Sequence, residues 1–259
     1  MYDFSQKEWG LVLSGGGGKG AYQAGVFRAL KEHKIMDYIT AISGASVGAL
    51  NLALFDCCDI EAVTDVWKNI SPHKFLYPDN DTNNLNDGIF SRDGLLEIIN
   101  NYINLEEIRN SERRLFVSVT EYEDIMDNEG KIKYFSLNYR PSKQIKDILL
   151  ASSAIPVIYS SVNIDGKLYR DGGLKDNLPI RPLYIEGIRN FIVVGMSTEL
   201  VINYDKYPDA DFLVIKPRIG IGDFFDGTLD FSSNGAKKRM ETGYVDAIRE
   251  LEFYGRTDK

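Results

Sequence analysis

The sequence predicts an α/β fold: a mostly parallel central sheet with helices on both faces. Three observations carry this. The chain opens strand, helix, strand, helix, the order that sets parallel strands side by side through crossover connections. Its first strand, Trp9 to Leu13, is a continuous short apolar run, as expected of a strand covered on both sides. The second helix, "SVGALNLALF", is apolar on nearly every face, which places it in the centre of the fold.

Each element follows in order. The first strand runs into "SGGGGKG", after which Ala21, Ala24, Val26, Phe27 and Leu30 recur at helical spacing to about His33. "YITAIS" is the second strand and "SVGALNLALF" the second helix. From 71 to 91 the chain turns polar, and "YPDNDTNNLNDG" is dense in turn formers, the composition of a lid or flap. "RLFVSVTEY" and "KIKYFSL" read as strands joined by a polar turn at Asp127 to Gly130, and "SKQIKDILLASSA" as a helix ending before Pro156. "VIYSSVNIDGKLYRDGG" is a hairpin closed by Asp165-Gly166, a favoured two-residue turn. "NFIVVGMS" and "DFLVIKP" are two further buried strands, and Met240, Tyr244, Ile248 and Leu251 space a last amphipathic helix near 235–254. With 259 residues the chain is expected to form a single domain, residues 1–259.

Composition excludes several classes. Hydrophobic residues make up 44% and charged residues 26%, the balance of a globular protein rather than a disordered one. A net charge of −8 argues against nucleic acid as a partner, because that affinity rests on Lys and Arg displacing counterions. The two cysteines, Cys57 and Cys58, are adjacent and have no second pair or histidine cluster at metal spacing, so neither a disulfide framework nor zinc follows. Asp79, Asp81 and Asn83 have calcium-loop spacing, but Asn84 stands where the turn needs Gly and Phe90 where the bidentate Glu belongs. No metal and no cofactor are expected. "MYDFSQKEWG" lacks the basic start and apolar stretch of a secretory signal, and no run approaches the roughly 18 apolar residues of a membrane span. The expectation is a cytoplasmic protein whose membrane contact, if any, is peripheral.

"GGGGKG" has three readings. A Walker loop needs Gly-Lys followed by Ser or Thr, whereas Lys19 precedes Gly20 and Ala21 follows it. Gly15, Gly17 and Gly20 satisfy the dinucleotide pattern, with Asp37 about 20 residues on. Asp37 precedes its strand, however, and belongs at the edge of the sheet opposite to the one where the acid must reach a ribose. The third reading is an oxyanion hole, in which side-chain-free N–H groups backed by a helix N-terminus converge on a developing negative charge.

Gly44-Ala45-Ser46-Val47-Gly48 is a GxSxG between a strand and a helix, the context in which the serine is a nucleophile at the apex of a tight turn. A serine nucleophile needs a base, and neither histidine fits a triad. His33 precedes Ser46 at a helix end among charged residues, and His73 follows it with no strand between to carry an ordering acid. "YRDGGLKDNLP" offers Asp171 at a strand end, either as a turn-capping residue or as a carboxylate that takes the Ser46 proton directly.

"SGGGGKGAYQAGV", "GASVG", "ASSAIPVIY" and "DGGLKDNLP", in that order, resemble the patatin-like phospholipases over roughly residues 10–185. The resemblance implies the three-layer architecture of that family and a Ser–Asp dyad, with Ser46 as nucleophile and Asp171 as base. It implies an oxyanion hole from the backbone of Gly15, Gly16 and Gly17, with Gly18, Lys19, Gly20, Gly44, Gly48, Gly172 and Gly173 as supporting motif positions. The activity it implies is hydrolysis of acyl esters in phospholipids or related lipids, without calcium or another cofactor, by a protein that docks transiently on membranes or micelles. Two alternatives stand beside it: a dinucleotide-binding protein that uses the GxGxxG loop, and a catalytically silent lipid-binding or partner-binding module.

Overall fold

The computed structural model describes residues 4–70, 75, 89–124 and 129–257. Its eight strands form one sheet: β1 (Trp9–Leu13), β2 (Ile39–Ala45), β3 (Arg114–Tyr122), β4 (Lys131–Ser136), β5 (Val162–Ile164), β6 (Lys167–Asp171), β7 (Asn190–Val194) and β8 (Asp211–Ile215). The order is β5-β6-β3-β2-β1-β7-β8, with β4 paired to β3. From β3 through β8 that path is parallel, while β4, β5 and β6 pair antiparallel. The flap expected over 71–91 lies outside the described residues except for Phe75 and 89–91, and half of the turn expected at 127–130, residues 127 and 128, lies outside them too.

Side-chain alternation splits the core. Leu11, Leu13, Ile192 and Val194 join the larger cluster, with α1 (Ala21–Glu32), α2 (Val47–Cys57) and the long C-terminal helix α8 (Ser233–Thr257). Val12, Phe191 and Val193 point the other way, against the short α7 (Ile180–Ile185) and its neighbour Ile188. β1 is therefore buried on both faces, as its apolar run predicts. Four helices fill the intervals: α3 (Ile60–Asn69), α4 (Asp93–Tyr102), α5 (Leu105–Arg109) and α6 (Ser142–Ser152). Among them α3 carries a side-chain cap, Asp59 Oδ1 accepting from the Ala62 N–H at 2.7 Å.

The Asp165-Gly166 turn has positive φ at both residues, 52° and 85°, as its turn type requires. β3 is the strand that brings the functional ends together. β4 occupies one of its edges from Phe116 to Glu121, so the other edge is shared: β2 holds Arg114 to Ser118, and β6 holds Val119 to Tyr122. β2 and β6 run toward each other along that edge. Ala45 pairs with Ser118 and Asp171 with Val119, the next residue, so the end of β2 meets the end of β6.

Candidate active site

Ser46, the residue after β2, sits where the chain turns into α2 with φ 55° and ψ −129°, a left-handed conformation that costs a non-glycine residue energy. The flanking glycines permit the turn. A Cβ on Gly44 would lie 2.4 Å from the Gly48 carbonyl oxygen, and one on Gly48 would lie 2.3 Å from that of Leu13. Ser46 Oγ donates to Asp171 Oδ2 at 2.6 Å, with both residues buried. Asp171 Oδ1 accepts the Gly173 N–H at 2.7 Å, which fixes the carboxylate plane. Burial pushes the Asp171 carboxyl up to about 6, against the hydrogen bonds from Ser46 and the Gly173 N–H that hold it down. Asp171 is thus both the residue that caps its turn and the hydrogen-bond acceptor of the serine; the two sequence readings are compatible.

The turn is held by a second line of contacts. The Ser46 N–H donates to Ser152 Oγ at 2.9 Å, and Ser152 Oγ donates to the Ser118 carbonyl at 2.8 Å, tying the turn to α6 and β3. The glycine loop follows β1, parallel to β2, so both loops leave the same end of the sheet. Gly15 stands beside the serine, since a Cβ there would come within 2.7 Å of Ser46 Cβ. Its N–H is already engaged, donating to Asn177 Oδ1 at 2.9 Å, while Asn177 Nδ2 donates back to the Gly15 carbonyl at 3.4 Å. Of the three expected oxyanion donors, then, Gly15 serves as an anchor. Gly16 and Gly17 donate their N–H groups to no partner among the described residues.

The remaining motif glycines make close approaches. Gly17 (φ 56°) and Gly18 pass the backbone of Thr228 and Asp230, Gly20 abuts Trp67, and Gly172 lies against the Ser118 carbonyl. Lys19 lies in the loop's short helix with its Cε beside Gly227. Beneath the loop, Trp67 Nε1 donates to Asn51 Oδ1 (3.0 Å), and Asn51 Nδ2 donates to Gln23 Oε1 (2.8 Å) and the Gly20 carbonyl (2.9 Å). Gln23 Nε2 completes the chain at the Ser14 carbonyl (2.9 Å). Sequence reading assigned no part to Gln23, Asn51, Trp67, Ser152 or Asn177. A buried amide on the otherwise apolar α2 was the available signal for Asn51, because a buried amide must find partners.

An apolar cavity opens from Ser46 and Gly17 between Leu50, Trp67, Phe75, Tyr159 and Phe231. Its free volume is about 30 Å³, the share of one water molecule. Phe75 and Phe231 stack across it at 4.1 Å between ring centroids, and Tyr159 Oη donates to the Phe75 carbonyl at 2.9 Å. A wider cleft of about 640 Å³, walled by Asp37, Asp56, Glu107 and Arg113, includes none of the dyad or loop residues. Asp37 lies in that cleft ahead of β2, at the opposite end of the sheet from the glycine loop, so the loop lacks the acid of the dinucleotide pattern. His33 closes the C-terminal end of α1, its Nδ1 3.0 Å from the Ala29 carbonyl oxygen, and His73 lies outside the described residues. Among the described residues no group of three or more His, Cys, Asp or Glu could hold a metal ion.

The family model described as patatin-like phospholipase matches residues 11–184, more than half of the chain. This chain belongs to the patatin-like phospholipase family. A protein of Escherichia coli K12 described as uncharacterised, YjjU, is 28% identical over 193 residues, covering 71% of this chain and 50% of its own length. The lysophospholipase NTE1 of Candida albicans is 25% identical over 213 residues, 75% of this chain but 13% of NTE1. A probable lipid hydrolase of invertebrate iridescent virus 6, 463L, is 26% identical over 187 residues, 66% of this chain and 61% of that protein. The chain thus spans half or less of the first two relatives. Among solved structures, VipD of Legionella pneumophila superposes with a TM-score of 0.57 at 16% identity, over 95% of this chain and 67% of VipD. The type III effector ExoU does so with 0.51 at 15%, over 96% and 53%. These likenesses are of fold: the mixed sheet with helices on both faces is the patatin architecture.

Proposed function

We propose that the protein is a serine lipid acyl hydrolase that cleaves acyl esters of phospholipids or related lipids through a Ser46 acyl-enzyme. The observation that carries the reading is the buried 2.6 Å hydrogen bond from Ser46 Oγ to Asp171, beside a loop with unspent N–H donors. Ser46 Oγ attacks the acyl carbonyl carbon as its proton passes to Asp171 Oδ2. The negative charge that forms on the carbonyl oxygen is met by the Gly16 and Gly17 N–H groups at a helix start. Collapse expels the alcohol, which takes the proton from Asp171, and water enters by the reverse route to release the fatty acid. A carboxylate raised to about 6 is a better match to a serine proton near neutrality than an ordinary aspartate, and is still ionised at pH 7.

The acyl chain belongs in the apolar cavity that opens at Ser46. Its present volume is too small for an acyl chain, so lining side chains, the stacked Phe75 and Phe231 among them, must shift when substrate enters. Contact with a lipid surface is supported by the rim. Phe225 is 81% exposed beside Phe224, on the turn that leads into the cavity-lining Thr228 and Leu229. Val157, 66% exposed with a strained φ of 70°, sits between the lining residues Ile155 and Ile158. No helix among the described residues is long and apolar enough to cross a membrane.

The test is turnover of a short-chain chromogenic ester by the wild type and by Ser46→Ala and Asp171→Asn. Activity in the wild type that falls by roughly 10³-fold or more in both variants is expected. Normal turnover by folded Ser46→Ala would end the proposal.

A further inference from the structure

A second cleft, of about 610 Å³, lies on the α7 side of the sheet and is walled by Tyr134, Lys175, Asp176, Arg181, Lys206 and Tyr207. That is the size of a small-molecule site. Its charge is unusual for this chain. Lys175, Arg181 and Lys206 make no side-chain ion pair or hydrogen bond with any described residue, although most arginines here are paired. The one carboxylate among them, Asp176, is already committed. Its Oδ2 accepts from Tyr134 Oη at 2.5 Å and its Oδ1 from the Leu178 N–H at 3.1 Å. Burial raises the Asp176 carboxyl, while the Tyr134 hydrogen bond and the charges of Lys206 and Arg181 pull it down, so both cations bear on the same point. Arg181 also acts on Tyr134 and Tyr207, and the Tyr207 hydroxyl has no partner among the described residues.

Three cations and one carboxylate leave two uncompensated positive charges in one cleft of a protein whose net charge is −8. All three cations are exposed at the cleft wall, so water screens their mutual repulsion; what favours an anion there is that several unspent donors line one cleft and can bind its oxygens together. A phosphoryl group carries about −1.5 to −2 charges near pH 7, with three strong acceptor oxygens. A carboxylate ligand would neutralise only half of the excess.

We infer that the cleft between β4 and α7 binds a phosphoryl group, held by Lys175, Arg181 and Lys206 with the Tyr207 hydroxyl as a further donor. Its source is either a free phosphate or a phosphorylated headgroup at a lipid surface. Two residues of the cleft wall, Lys175 and Asp176, lie on the segment that runs from Asp171 to Asn177, and the Asp176 carbonyl accepts from Ser118 Oγ at 3.2 Å. Ser118 is also the residue whose carbonyl receives the Ser152 hydroxyl beneath Ser46.

Two binding arms test this without any esterase readout. In the first, equilibrium dialysis with radiolabelled inorganic phosphate compares the wild type with Lys175→Gln/Arg181→Gln/Lys206→Gln, in acetate buffer of fixed ionic strength. In the second, both proteins are sedimented with phosphatidylcholine vesicles, alone or containing phosphatidic acid. Saturable phosphate binding that weakens about tenfold or more in the triple variant supports the site with a free phosphate as its source. Sedimentation that requires phosphatidic acid and is lost in the triple variant, without dialysis binding, supports the headgroup source. Binding in neither arm, or binding that the triple variant keeps, overturns the inference. Lys206→Gln alone, in an exposed turn, must weaken binding in the same direction, which separates loss of the site from loss of the fold.

Discussion

At Asp171, burial and hydrogen bonding oppose each other, and burial wins, lifting the carboxyl to about 6. A base must be ionised to accept a proton, so kcat/KM on a short-chain ester should rise with pH through about 6 and level off above it; a profile already flat below pH 5 would contradict this. The same shift has a stability sign. A carboxyl whose folded pKa is raised favours the folded state at pH values below its unfolded pKa near 3.9, and that contribution is lost as pH rises through about 6. Asp171→Asn should therefore gain melting temperature relative to the wild type between pH 5 and 8, by an amount on the order of a few degrees. A constant difference across that range would show that the carboxyl is not perturbed. Asn177 acts through the loop: Asn177→Ala unfastens Gly15, so kcat should fall by about a hundredfold with KM little changed, because a small misplacement of the loop disturbs its donors. An effect confined to KM would assign Asn177 to substrate binding instead.

Individual elements were legible where the cause is local. "RLFVSVTEY" is β3 residue for residue, and Asp165-Gly166 closes its hairpin, because alternation and turn chemistry are written into neighbouring positions. Ile60, Val63, Val66 and Trp67 likewise mark α3 by their helical spacing. The illegible part was pairing at a distance. Gly15 and Asn177 are 162 positions apart, Ser46 and Ser152 106, and that β2 and β6 divide one edge of β3 follows from topology alone. For this reason the dyad residues could be named from their motifs, while the residues that hold the motifs in place could not. Close packing of α1 on α8 likewise appears only in three dimensions: a Cβ on Gly25 would lie 1.9 Å from the Met240 carbonyl oxygen. Gly25→Val should force the helices apart and cost at least about 2 kcal/mol, read as a lower urea midpoint at unchanged slope. An unchanged midpoint would mean that α8 is not seated on α1 as described.

On the scale of the whole molecule, the exposed Phe224–Phe225 turn and the exposed Val157 each adjoin segments that line the cavity at Ser46, and the proposed function makes them the contacts with a lipid surface. Aromatic side chains at such a surface act through buried apolar area, so Phe225→Asp should lower turnover of vesicle lipid by about tenfold while leaving a soluble short-chain ester untouched. Equal loss on both substrates would move Phe225 from docking to folding. Everything else in the functional reading depends on Ser46 being an activated nucleophile. The most direct measurement is intact-protein mass after reaction with a fluorophosphonate, for wild type, Ser46→Ala and Asp171→Asn. A single phosphonyl adduct on the wild type, absent in Ser46→Ala and formed far more slowly in Asp171→Asn, is the predicted result. An adduct that persists in Ser46→Ala, or a folded wild type that never reacts, would contradict the account.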